Sequence, residues 1–482
     1  MLNALYQSYF HLLIGLKIYI LTRYYHIFET KVKFMKSVII CNMEGVIQEI
    51  NKGALDMFGY SKDELIGIKR VSIFSEADIV IQNVLGWLEE ANKKGRSVVK
   101  TRFKRKNGSF FNAEILITPN YANGKENGQT GYCGITKEIS EKVEIPIKFS
   151  TKFIRAIAIT RGGFTLASIL PMVVVSYFLS SSGNFSFINS ILSITGVFFL
   201  HLFSNLYNDY FDVKHGTDEA NKEYFNVGDK SLVLRGAQIS GGSRAIELGL
   251  ITLKNTKNLA NIMLFASLVS FVFVCYNSYL VTNSLENIKA MGFIAFTATL
   301  LGYFYTAKPF RLSGRRGLGE LTIFLCFGPL LTIGSAFAMS TNTINLSYED
   351  IINFFLIGLP LGLLTTNILF INQFPDHNSD KITGKINLVV LLGKKLSRWI
   401  FLLNIILIIF LSYLLKKVFL ENILDFNDNV YSIIISILAL YGLIISVGLF
   451  KNYNSRSLVY YNIQTIYYQI FFCFGIIISF YF

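Results

Sequence analysis

The feature that most constrains this chain is a succession of apolar stretches, each close to the ~20 residues an α-helix needs to cross a bilayer. They fall at 164–180, 187–207, 258–282, 289–306, 319–340, 351–371, 397–415, 430–450 and 460–482. Lipid cannot satisfy backbone polar groups, so such stretches span as helices. Nine of them predict an all-α polytopic membrane bundle. Composition agrees, because 52% of the 482 residues are hydrophobic and only 16% are charged, which is too apolar for a soluble protein of this size.

The loops alternate in charge. Those after the second, fourth, sixth and eighth stretches carry Lys214, Lys222, Lys230, Arg235 and Arg244; Lys308, Arg311, Arg315 and Arg316; Lys381, Lys385, Lys394 and Lys395; and Lys451 and Arg456. Those after the first, third and fifth read "SSSGNFS", "NSLENI" and "TNTINLSYED". The positive-inside rule therefore places the N-terminus and the basic loops on the cytoplasmic side of the cell's inner membrane, with Lys416 and Lys417 the one contrary pair. The same asymmetry and anionic lipid account for the net charge of +14, so nucleic acid is not an expected partner. Five cysteines without CxxC spacing indicate neither a zinc site nor a disulfide framework.

Ahead of the apolar stretches the texture changes. Residues 1–36, with "YFHLLIGLKIYILTRYYHIF" broken by Lys17 and Arg23, suit an interfacial helix better than a span or a cleaved signal. Residues 37–143 read as strand, turn at Glu44-Gly45, strand, short helices, a helix near 77–94, and a hairpin at Asn107-Gly108. This is a small α/β domain with an antiparallel sheet. Its Gly45, Ile47, Asn51, Gly59, Tyr60, Glu64, Leu65, Gly67, Lys106 to Ser109 and Gly131 to Thr136 resemble the motif run of the PAS fold, with Gly134 where that fold closes on Asp. The stretch holds no histidine, which excludes haem on a proximal His of its own. An interaction or dimerisation module and a small-ligand or redox sensor both remain open. Residues 144–160 read as a linker and 161–482 as the membrane domain.

Two polar clusters close apolar stretches. "NDYFDVKHGTD" begins at Asn208; on a helix Asn205, Asn208, Asp209 and Asp212 share a face. "NQFPDHNSDKITGK" begins at Asn372, and Pro375 predicts a kink or restart before Asp376 and Asp380. Both clusters follow even-numbered stretches, so they lie on one side of the membrane. Like charges gathered at a bilayer boundary repel and cost several kcal/mol each to desolvate, so a cation should lie between them. Carboxylate and amide oxygens suit magnesium; the lack of matching His or Cys argues against zinc or iron. His215 and His377 are expected to be solvated loop residues.

These two motifs, with "SGGSRAIELGLI", "YFYTAKPFRLSGRRGLGEL" and "LVVLLGK", resemble the UbiA superfamily of intramembrane prenyltransferases, in the style of its 1,4-dihydroxy-2-naphthoate branch, which makes menaquinone precursors. The resemblance covers 152–482, and nine spans is that family's usual count. It implies transfer of a polyprenyl group from an allylic diphosphate to an aromatic acceptor, with Mg2+ as cofactor. It assigns metal binding to Asn208, Asp209, Asp212, Asp376 and Asp380, the four aspartates being catalytic, with support from Asn205, Asp218 and Asn372. Lys308, Arg311, Arg315 and Lys385 become candidates for the diphosphate. Arg161, Tyr207, Tyr303, Tyr305 and Phe374 become candidates for the acceptor or prenyl pocket. The alternatives are another aromatic or lipid acceptor, or a membrane sensor or transporter gated by the PAS-like part.

Overall fold

The computed structural model describes residues 36–216, 243–342, 348–418, 420, 426–455 and 457–481. The expected interfacial helix, Asp218, and the basic residues Lys222, Lys230, Arg235 and Arg456 lie outside the described residues. The chain divides into two compact units, Met1–Lys152 with Glu247–Gly249, and Phe153–Ile246 with Leu250–Phe482.

In the first unit, strands β1 (Ser37–Asn42), β2 (Ile47–Ile50), β3 (Ser97–Lys104), β4 (Phe110–Asn120) and β5 (Gly131–Glu138) form one sheet in the order β2-β1-β5-β4-β3. Every neighbouring pair is antiparallel. Helices α1 (Lys52–Phe58) and α2 (Leu85–Lys94) belong to the same unit. Asn51 explains why β2 turns directly into α1. Its Oδ1 accepts from the Ala54 amide, capping the helix, and from the Val38 amide on β1, both at 2.9 Å. Gly59 ends α1 at φ 76°, a left-handed conformation that a side chain would strain. The core is aromatic: Phe58 stacks on Phe74 at 4.1 Å and packs against Phe103 and Phe111. The expected linker is partly ordered. Gln82 accepts from the Lys148 amide (3.0 Å) and the Thr151 hydroxyl (2.8 Å), where helix α3 (Phe149–Thr160) starts.

The second unit is helical: α4 (Leu166–Ser181), α5 (Phe187–Lys214), α6 (Leu253–Thr282), α7 (Glu286–Phe304), α8 (Leu318–Phe327), α9 (Pro329–Met339), α10 (Tyr348–Ile382), α11 (Lys394–Val418), α12 (Asp428–Asn452) and α13 (Leu458–Ile478). Among the described residues eight segments are long and apolar enough to cross a membrane, α8 and α9 together making one of them. The ninth expected span is α7, which falls outside that set. It has 19 residues, and its start is spent on an exposed ion pair, Lys289 to Glu286 at 3.0 Å. The chain is thus a multi-pass membrane protein. On α12, Ile433, Ile437, Leu440 and Ile444 form an exposed apolar stripe at helical spacing, as a lipid-facing surface requires.

Helix α10 is the central element, 72% buried over its most apolar window. Gly358 and Gly362 let it approach the α8–α9 break closely: a Cβ on Gly358 would stand 2.7 Å from the Pro329 backbone. The expected restart at Pro375 does not occur. The helix runs unbroken from Tyr348 to Ile382 with Pro360 and Pro375 inside it. A proline costs one backbone hydrogen bond and roughly 3 kcal/mol, which a helix packed this heavily along its length can absorb. Asn372, Asp376 and Asp380 consequently share one helical face at i, i+4 and i+8.

Candidate functional site

The polar ends of α5 and α10 meet through two loops that are stitched together. The Arg316 amide donates to the Ile386 carbonyl at 2.7 Å, and the Ile386 amide donates to the Gly314 carbonyl at 3.2 Å. Gly314 suits this approach, since a Cβ there would already touch the Lys385 Cα at 3.4 Å. The Lys385 amide donates to the Asp380 carbonyl at 2.8 Å, turning its side chain back over the helix end. Asn387 then caps the short helix Leu388–Leu392 through its Oδ1 (2.9 Å to the Val390 amide) and donates from Nδ2 to Asp380 Oδ2 at 2.7 Å.

The result brings the two acidic motifs, 168 positions apart, to one ammonium. Lys385 Nζ lies 3.7 Å from Asp380 Oδ1 and 4.0 Å from Asp212 Oδ2. Burial alone would lower the lysine pKa, but the two carboxylates outweigh it and hold Lys385 above the ordinary lysine value. Asn208, Asp212, Asn372, Asp376, Asp380 and Lys385 line one polar cavity of about 170 Å³. Thr306 orients Asn208 by donating to its Oδ1 at 2.9 Å, and Asn462 does the same for Asn372 at 2.7 Å. Asn205 also lines the cavity and donates to the Thr160 carbonyl at 3.2 Å.

Not every expected residue arrives there. Asp209, one position round the helix from Asn208, is buried away from the cavity lining; its Oδ1 accepts from the Ser243 amide at 3.2 Å, while Oδ2 has no hydrogen-bond partner among the described residues. Arg161 lines the cavity beside Phe164, 4.8 Å from its ring, with Nε buried and unpartnered among the described residues. Arg311 donates to the Thr383 carbonyl at 3.3 Å. Arg315 is engaged by the Pro309 and Phe310 carbonyls, and Lys308 is exposed; neither lines the cavity. Tyr305 lines it. Tyr207, Tyr303 and Phe374 do not: Tyr207 stacks on Phe211, meets Tyr303 edge-on at 5.3 Å and donates to Asn261, whereas Phe374 is fully buried against Phe370. His215 and His377 stay outside the lining as well.

Beyond Asn205, Asn208 and Tyr305 a second cavity of about 450 Å³ opens, its wall drawn from α4 to α9 and including Met172, Leu264, Phe271, Met291 and Leu331. A third set of buried groups stands behind the polar cavity. Glu320 on α8 accepts from Gln373 Nε2 (2.8 Å) and from the Leu388 amide (2.9 Å), tying α8, α10 and the Asn387 turn together. Sequence reasoning passed over Glu320, Gln373, Asn387 and Thr306. A buried glutamate near the start of an apolar span was the available signal, because intramembrane ionisable residues are rarely idle.

The site's fit to magnesium rests on donor chemistry. Its cavity presents carboxylate and amide oxygens without thiolate, the set a hard divalent cation prefers. Among the described residues no three His, Cys, Asp or Glu side chains already form a ligand cluster. The residues present fit the ion.

A helical membrane domain in which a charged polar cavity adjoins an apolar chamber, coupled in sequence to an antiparallel α/β domain, defines a multi-pass membrane protein of two domains. Residues 169–461 match the UbiA prenyltransferase family, and residues 35–141 match the PAS domain. The chain belongs to the UbiA prenyltransferase family and carries an N-terminal PAS domain. It is 30% identical over 202 residues to "UbiA prenyltransferase domain-containing protein 1" of Dictyostelium discoideum, covering 42% of this chain and 52% of that protein. It is 28% identical over 228 residues to the 1,4-dihydroxy-2-naphthoate octaprenyltransferase of Haemophilus influenzae, covering 47% and 65%. The chain thus spans about half to two thirds of the length of these relatives. A solved UbiA homologue from Archaeoglobus fulgidus, bound to DMAPP and Mg2+, overlaps 67% of this chain and 99% of its own at 14% identity and a TM-score of 0.44.

Proposed function

We propose that this protein transfers a polyprenyl group from an allylic diphosphate to an aromatic acceptor, with 1,4-dihydroxy-2-naphthoate, on the way to menaquinone, as the acceptor that the names of its relatives favour. The observation that carries the reading is the junction of a Lys- and Asp-lined polar cavity with an apolar chamber of about 450 Å³. A diphosphate headgroup and a hydrocarbon tail need that pairing.

Asn208, Asp212, Asp376 and Asp380 would hold magnesium, with Asn205 and Asn372 lining the same cavity beside them. Bound magnesium would neutralise charge building on the departing diphosphate oxygens. Lys385, held protonated between Asp212 and Asp380, offers the diphosphate a fixed positive charge, and Arg161, which lines the same cavity, adds a second. Fixed charges that need not reorganise favour ionisation of the allylic C–O bond. The apolar chamber excludes water from the resulting cation. Basic loops on the site's side support a mouth at the cytoplasmic face of the inner membrane. The aromatic packing around Phe58 favours an interaction role for the PAS domain over a ligand chamber in its core.

The test is diphosphate release and prenylated product from purified protein, a polyprenyl diphosphate and the naphthoate, with and without magnesium. Absence of both products with every aromatic acceptor tried, in protein shown to be folded, refutes the reading. A transporter reading gains nothing here, because the carboxylates sit at helix ends.

A further inference from the structure

His201 lies on α5, one turn before Asn205, and lines both the polar cavity and the apolar chamber. Its Nδ1 is 2.7 Å from the Ser168 hydroxyl, and its ring meets Phe327 edge-on at 5.1 Å, so the imidazole is fixed on two sides. Among the described residues Nε2 has no hydrogen-bond partner. With Nδ1 donating to Ser168, the Nε2 lone pair is the basic atom left for the cavity. A histidine in a membrane span is costly to keep and marks function by default, yet neither metal binding nor diphosphate binding uses this one.

We propose that His201 is the general base that accepts the acceptor's hydroxyl proton at the junction of the two cavities; this rests on the prenyl-transfer reading above. The cavity's other charged groups are Arg161, Lys385 and the carboxylates of Asp212, Asp376 and Asp380. The cations hold no lone pair for the task, and the carboxylates are committed to the cation at the mouth. Of the two neutral titratable side chains that line both cavities, His201 and Tyr305, only the imidazole offers a ring-nitrogen lone pair that can take up a proton.

The step balances within the substrates. The allylic C–O bond breaks with its electron pair on diphosphate. The acceptor's O–H proton passes to Nε2 as the ring carbon bonds the allylic carbon. On a carboxylated ring, loss of CO2 from that carbon returns an electron pair to the ring oxygen, which recovers its proton from the imidazolium. No further reactant is needed.

The experiment partitions two products. In wild-type protein with polyprenyl diphosphate, magnesium and the naphthoate, diphosphate release and prenylated product should run together. H201Q should lose about 10²-fold or more of the prenylated product, the usual contribution of a positioned base, while diphosphate release continues and the prenyl group appears as prenol. Ser168→Ala should shift the partition the same way to a lesser degree, because it frees the ring that Ser168 orients. Continued diphosphate release reports that each variant is folded. Full coupling in H201Q overturns the assignment. Equal loss of both products in H201Q also overturns it, since His201 would then serve the fold or ionisation. No diphosphate release from wild type instead removes the prenyl-transfer reading itself.

Discussion

Replacing Lys385 by Met should uncover how much of the site's assembly depends on one cation. Two carboxylates from different helices lie 3.7 and 4.0 Å from its ammonium. At an effective dielectric of about 20, each contact is worth roughly 4 kcal/mol of Coulomb energy. Most of that is offset by desolvation, and breaking such a buried arrangement costs about 3–5 kcal/mol through the carboxylates left unpaired. At roughly 2 °C or more per kcal/mol for a domain of this size, the membrane unit should melt about 6–10 °C lower. A divalent cation binding the exposed carboxylates would restore part of the loss by mass action. Magnesium at a few millimolar should therefore raise the melting temperature of the variant more than that of the wild type, and calcium should do so less selectively. The lysine pKa is held above its ordinary value. Its contribution is therefore fully present below the unfolded value of about 10.4 and is lost only as pH rises through the still higher folded value. Differential scanning fluorimetry in nanodiscs measures all of this. An unchanged melting temperature in Lys385→Met, or a magnesium response equal to that of the wild type, would refute the claim that this ammonium and a metal serve the same carboxylates.

Gly358→Val sets a branched side chain against the Pro329 backbone, 2.7 Å from where its Cβ must go, and should cost about 1–3 kcal/mol or misfold the α8–α9 break; thermal melting of the membrane unit checks it. Asn51→Ala removes an acceptor shared by two amides, one in the helix cap and one on β1, and should destabilise the PAS domain by about 1–3 kcal/mol in urea unfolding. Lys106 and the Ser61 amide hold the Glu64 carboxyl down at about 2, so its stabilising share is present above about pH 4.3 and lost as pH falls toward 2; Lys106→Met should flatten that acid limb, followed by the fluorescence of Trp87. Burial pushes the Cys41 thiol up to about 11, so iodoacetamide at pH 8 should leave it unmodified in native protein, as peptide mass spectrometry can score.

What the sequence revealed and what it hid follow one physical division. Helix periodicity and charge are local, so the two acidic motifs and their shared side of the membrane were readable from Asn208 to Asp212 and from Asn372 to Asp380. Side-chain direction is not local. Asn208 and Asp209 are adjacent in sequence, and one turns to the cavity while the other turns to Ser243, a partner 34 positions away. Pro375 was read by its local penalty, and packing along α10 overrode it. Tyr207 and Phe374 were read by residue type, but an aromatic ring one helical step off the cavity is simply core. Lys385 shows the division most clearly. By composition it is one of many basic loop residues, indistinguishable from Lys308 or Lys381. Only the pairing of Ile386 with the 314–316 loop, and the turn closed by the Asp380 carbonyl, carry it between the two carboxylates. The acidic motifs therefore specify a repulsion, and the loops supply the cation that lets the site form before substrate arrives.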